Sequence, residues 1–190
     1  NYHQRRNLDH QTIRAHIGEG LQKLILDFFP EFQSSSKESD EIVNQFLQFY
    51  ENEMLNTTRL MPGVLEFLQN YPGPVGIITN KNEKQARIIV QELKLQSIPW
   101  VGIFGAETWP EKKPSPLPLQ KMMALANRNS QQCFMIGDGT PDMESARRAQ
   151  VGAIAIEFGY TEITILKKYN PVAILPHYSE LRRVIEELAP

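Results

Sequence analysis

A single cysteine, Cys133, is all the chain contains, so no disulfide can form within it. That fits a reducing compartment, and the cytoplasm is the expected location. No apolar run approaches the roughly 20 residues that span a bilayer, so no membrane partner is expected. The basic start, Asn1-Tyr2-His3-Gln4-Arg5-Arg6, is not followed by an apolar stretch, and no secretory signal is visible. Neither sign of charge is in excess: 20 basic and 22 acidic residues leave a net charge of -2, no electrostatic footprint for nucleic acid. His3, His10, His16 and His177 are scattered without ligand spacing. The sequence carries no signal of oligomeric state.

What is present is an ordinary globular chain of 190 residues, 41% hydrophobic, in two textures. From Thr12 to about Thr58 it reads as helical. Leu21, Leu24, Ile25, Phe28 and Phe29 recur at helical spacing, as do Ile42, Val43, Phe46, Leu47 and Tyr50. Pro30 and Ser34-Ser35-Ser36 separate the two runs. After Met61-Pro62-Gly63, strands and helices alternate. Strands are expected at Val75–Thr79, Val101–Phe104, Cys133–Gly137, Val151–Ile156 and, shortest, Val172–Leu175. Helices are expected at Val64–Tyr71, Asn82–Leu93, Pro116–Asn127, Met143–Ala149 and Tyr178–Leu188; the stretch from Phe158 to Pro171 is the least readable. Alternation of this kind implies an α/β fold, a doubly wound Rossmann-like parallel sheet. The expected domains are a small helical cap over residues 1–60 and an α/β core over residues 61–190.

Ligands in open α/β sheets collect at the carboxyl ends of strands. Three such ends carry chemistry here. Gly137-Asp138-Gly139-Thr140-Pro141-Asp142 follows an apolar strand, and Pro141 suits the first turn of a helix. Two carboxylates four residues apart repel unless a cation joins them, and a hard divalent ion such as Mg²⁺ is the natural partner. Read singly, Asp138 could equally be a turn residue and Asp142 a charge favoured by the helix dipole. At Ile77-Ile78-Thr79-Asn80-Lys81 a strand ends in a hydroxyl. Thr79 and the N–H groups around Asn80 could hold phosphate oxygens, or simply cap a helix. At Glu111-Lys112-Lys113-Pro114-Ser115-Pro116, the prolines restrict their predecessors to extended backbone. Lys113 then either stabilises anionic charge or belongs to a solvated basic loop.

Taken together, Thr79-Asn80, then Lys113-Pro114, then Gly137-Asp138 with Asp142 resemble the second, third and fourth motifs of the haloacid dehalogenase superfamily. Ile17-Gly18-Glu19-Gly20-Leu21 is similar to the glycine-containing cap segment of its phosphoglycolate phosphatase group, and Met61-Pro62-Gly63-Val64 to the return from cap to core. The resemblance implies a Mg²⁺-dependent phosphatase acting on a small phosphorylated metabolite. Asp138 and Asp142 would serve as metal ligands, Thr79 and Asn80 would hold the phosphoryl group, and Lys113 would neutralise it. Glu19 could face the substrate. A sugar-phosphate mutase, or a non-catalytic phosphate-binding domain on the same fold, fits the same pattern.

One part of that pattern is missing. Members of the superfamily begin catalysis from an Asp-x-Asp-Gly-Thr strand tip placed before the cap and central in the sheet; the first Asp forms an aspartyl-phosphate. The only early aspartate here, Asp9, has no apolar strand before it. A buried central strand cannot be dropped without exposing its neighbours and leaving backbone groups unpaired. The expectation is therefore that about 20 to 30 residues precede Asn1 in the whole protein. Without them the chain is expected to be hydrolytically inactive. Cys133, Trp100 and Trp109 are expected to pack, with Trp109 a candidate for the site mouth, and Arg147-Arg148 and Arg182-Arg183 to be solvated helix faces.

Overall fold

In the computed structural model, residues 9–30 and 37–189 are described. The Ser34–Ser36 break and His3 lie outside them. Three helices come first: α1 (His10–Ala15), α2 (Leu21–Phe28) and α3 (Lys37–Thr57). Asp9 is the N-cap of α1, its carboxylate accepting from the Thr12 N–H at 2.8 Å and the Thr12 hydroxyl at 2.7 Å. It fills an orphan-donor role at a helix start, the ordinary use of aspartate there. Ile25 and Met54 are the buried contacts of α2 and α3.

Helix α4 (Val64–Asn70) then opens an alternation of β1 (Val75–Ile78), α5 (Glu83–Glu92), β2 (Trp100–Phe104), α6 (Leu117–Leu125), β3 (Phe134–Gly137) and α7 (Thr140–Ala149). It continues with β4 (Gly152–Ile156), α8 (Ile163–Leu166), β5 (Ala173–Leu175) and α9 (Leu181–Leu188). All pairings are parallel, as the helical crossovers require. Helix α7 starts three residues earlier than its apolar pattern suggests. Gly139 is extended there, and Asp142 accepts the Gly139 N–H at 3.0 Å. The poorly readable stretch after Phe158 contains α8, whose Leu166 is fully buried.

The sheet is in two pieces. β1 pairs with β2, and β3, β4 and β5 form a separate three-stranded unit. Each piece has its own core. Ala86, Val90 and Ile103 pack around β1 and β2. Met143, Ala146 and Ala155 pack on one side of the three-stranded piece, and Ile154, Ile156 and Leu181 on the other. Between the pieces lies a cavity of about 630 Å³, lined by β1 from Val75 to Ile78, β3 from Phe134 to Ile136, and apolar side chains of α4, α6 and α9. β1 and β3 therefore face each other across an apolar slot, each without a strand on that side among the described residues. Backbone N–H and C=O groups left this way are costly to bury unpaired. No helix among the described residues is long and apolar enough to cross a membrane.

Candidate active site

β1 ends at Ile78, and the Thr79 N–H still pairs with the Phe104 carbonyl at 2.9 Å, so Thr79 stands at the strand tip. Its hydroxyl oxygen accepts the Lys81 N–H at 3.1 Å, which leaves the hydroxyl proton free to donate elsewhere. Neither Thr79 nor Asn80 caps α5; that helix begins at Glu83 behind Asn82, which makes no side-chain cap. Asn80 is buried. Its amide N–H₂ donates to the carbonyls of Gly18 and Lys113, both at 2.9 Å, stitching the glycine-containing loop of the helical part to the lysine turn. Its Oδ1 has no partner among the described residues.

The lysine turn is held from the α7 side. The fully buried Ser145 hydroxyl donates to the Ser115 carbonyl at 3.0 Å. The Lys113 side chain is thereby directed inward. It is only 8% exposed, as is Asp142, so neither is a solvated surface charge. The ammonium donates to the Ile78 carbonyl at 2.6 Å and to Asp142 Oδ1 at 2.5 Å. One lysine thus spans the tip of β1 and the first turn of α7, and one of its three protons remains uncommitted.

Asp138, at the tip of β3, has a separate partner: its Oδ2 accepts the Tyr160 N–H at 2.8 Å. The chain passes so close that a Cβ on Gly159 would stand 2.0 Å from the Asp138 Cβ, which requires glycine there. From α1, Arg14 donates to the Gly159 carbonyl at 2.6 Å and lies 5.8 Å from the Tyr160 ring centre. Among the described residues Asp138 has no ion pair, so the strand tips carry one uncompensated carboxylate beside a neutralised pair. Oxygen ligands and excess negative charge suit a hard divalent ion. No group of three or more His, Cys, Asp or Glu able to hold a metal occurs among the described residues.

Tyr178 registers the same field. Burial first, and then the charges of Asp138 and Asp142, push its phenol up to about 12 from 10.0. A raised phenol pKa favours the folded state below pH 10 and loses that contribution as pH rises toward 12. Two units correspond to about 3 kcal/mol. Denaturant titrations should therefore show stability falling between pH 10 and 12, and Tyr178→Phe should flatten that decline. An unchanged slope in the variant would contradict the burial of the phenol beside the strand tips.

Other candidates sit apart. Glu19 is exposed. Trp109 packs edge-on against Phe104 at 5.6 Å. Cys133 is half-buried, and burial raises its thiol pKa, which makes it less reactive. His16 packs on Phe28 at 4.9 Å. Arg147 and Arg148 pair with Glu144, and Arg182 and Arg183 with acids along α9. Sequence reasoning missed the Gly159-Tyr160 support of Asp138, along with Arg14 and Tyr178.

Comparison with known proteins bears on the whole arrangement. A family model described as haloacid dehalogenase-like hydrolase matches residues 1–156. A phosphoglycolate phosphatase of Chromobacterium violaceum is 31% identical over 165 residues, covering 84% of this chain and 74% of that protein. One from Pseudomonas savastanoi is 29% identical over 182 residues, 92% of this chain; the chain spans 65% of that relative's length. Among solved structures, a haloacid dehalogenase-like family hydrolase from Streptococcus pneumoniae superposes with a TM-score of 0.79 at 24% identity, covering 94% of this chain and 82% of that one. A hydrolase from Pseudomonas syringae gives 0.79 at 22% identity, with 97% and 85% coverage. At these identities the structural likeness establishes the fold.

Proposed function

Because the chain belongs to the haloacid dehalogenase-like hydrolase family, we propose that it is a Mg²⁺-dependent phosphatase of small phosphate monoesters, working as a core with α1 to α3 as its cap. The observation that carries this reading is the Lys113 ammonium, buried and bonded at once to the tip of β1 and to Asp142. Its remaining proton is available to a phosphoryl oxygen, where a desolvated cation stabilises developing negative charge. The Thr79 hydroxyl donates to a second oxygen, and the Asn80 backbone N–H, which lies between two committed ones, to a third. Asp138 and Asp142 would hold the Mg²⁺, which would neutralise phosphoryl charge. The substrate is then a small phosphorylated metabolite, phosphoglycolate by likeness to the curated relatives.

The slot between β1 and β3 bears on the nucleophile. Lys113 bonds near the carboxyl ends of both flanking strands, so those ends lie on one side of the sheet. A strand entering the slot parallel to them would pair both open edges and deliver its own carboxyl tip to Lys113. In this proposal that tip carries the aspartate that is phosphorylated and then hydrolysed, dividing one hard displacement into two. The 190 residues alone would then bind phosphate without turning it over.

The test is a screen of small phosphate esters with full-length protein, with and without Mg²⁺. Phosphate release that stops on chelation is expected. Binding of inorganic phosphate with no turnover of any ester would favour a non-catalytic phosphate-binding role instead.

A further inference from the structure

Two lysines stand side by side in the turn before Pro114, and they do different things. Lys113 is neutralised by Asp142. Lys112 is half-buried and has no ion pair among the described residues. Its ammonium makes one hydrogen bond, to the backbone carbonyl of Glu19 at 2.7 Å. The Glu19 carboxylate is exposed and makes no ion pair with it, although its charge offsets part of the effect of burial on the ammonium. The position a Cβ would take on Gly20 lies 2.6 Å from Lys112 Nζ and 3.4 Å from the Asn80 carbonyl oxygen. The ammonium and the Asn80 main chain therefore both pack close to Gly20, between the glycine loop and the tip of β1. Gly20, at a φ of +96° and without a Cβ, permits that approach.

We propose that Lys112 is a specificity-determining residue that reads a second anionic group, a carboxylate, on the phosphate ester held at Thr79 and Lys113. This rests on the phosphatase reading above and deepens it. A partly desolvated ammonium with two uncommitted protons is unfavourable alone and is relieved by an anion. Burial lowers its pKa from the usual lysine value, a sign that water compensates it incompletely. The charges divide accordingly: Lys113 and the metal meet the phosphate, and Lys112 meets a carboxylate a few bonds away.

The test compares phosphoglycolate with ethyl phosphate, two esters in which a carboxylate replaces a methyl group. Because the ester would be turned over, kcat/KM for each is measured with Mg²⁺ on the full-length protein. The wild type should prefer phosphoglycolate. K112Q removes the charge but keeps an N–H that can reach for the Glu19 carbonyl, and the kcat/KM ratio should fall about tenfold, ~1.4 kcal/mol. K112R should preserve the ratio. A ratio unchanged in K112Q overturns the assignment of Lys112, as does a loss that is equal for both esters. Failure of the wild type to hydrolyse either ester overturns the phosphatase reading itself, and with it this inference.

Discussion

Asp138→Asn should lower Mg²⁺-dependent phosphate release by about 10³-fold or more in the full-length protein, equivalent to ~4 kcal/mol of transition-state stabilisation. The substitution is nearly isosteric, and the side-chain oxygen can still accept the Tyr160 N–H. What it loses is the uncompensated charge that would bind the ion. Folding should not suffer, because Asp138 has no ion pair to lose among the described residues and the amide keeps the Tyr160 hydrogen bond; the melting temperature should stay within about 3 °C. Activity assays and thermal melts separate the two effects. Full activity with normal folding would remove Asp138 from the metal site.

Lys113→Met should be the most damaging of the site substitutions for stability. Lys113 and Asp142 are each 8% exposed, and their bond lies beside the fully buried Ser145. Removing one partner of a buried pair strands the other charge in poor solvent, at a cost of about 3–5 kcal/mol. In a chain of this length that is a fall of roughly 6–20 °C in melting temperature. The cost belongs to the stranded carboxylate, so adding Asp142→Asn to the Lys113→Met background should restore most of the loss. A double-mutant cycle measures this directly. A loss below about 1 kcal/mol would mean that the pair behaves as an exposed one. Activity should fall in both variants, since the ammonium is then gone.

The elements that were legible in the sequence are those whose signal is local. Val75–Ile78 and Phe134–Gly137 are apolar runs closed by polar tips, and buried parallel strands of that kind need no long-range information to be seen. Thr79 and Asp138 stood out because each follows an apolar strand, Asp142 because it lies four residues beyond Asp138 behind Pro141, and Lys113 because Pro114 restricts it. The split of the sheet was not legible in periodicity, since pairing is long-range and β1 and β3 look alike whether or not a strand lies between them. The support of Asp138 was hidden for another reason. Gly159 and Tyr160 act through a backbone N–H and through close approach, which no residue type advertises. Lys112 and Lys113 are adjacent and identical in the sequence; only burial and partners distinguish the neutralised ammonium from the open one. Asn80 shows the converse. Its side chain, a plausible ligand by residue type, spends its two donor protons on the Gly18 and Lys113 carbonyls.

The most direct measurement is a crystal structure of the full-length protein grown with Mg²⁺ and a phosphate mimic such as vanadate. The account predicts the anion within hydrogen-bonding distance of the Thr79 hydroxyl and Lys113 Nζ, with the Mg²⁺ coordinated by Asp138. An anion bound elsewhere, or a metal that leaves Asp138 on the Tyr160 N–H alone, would contradict it.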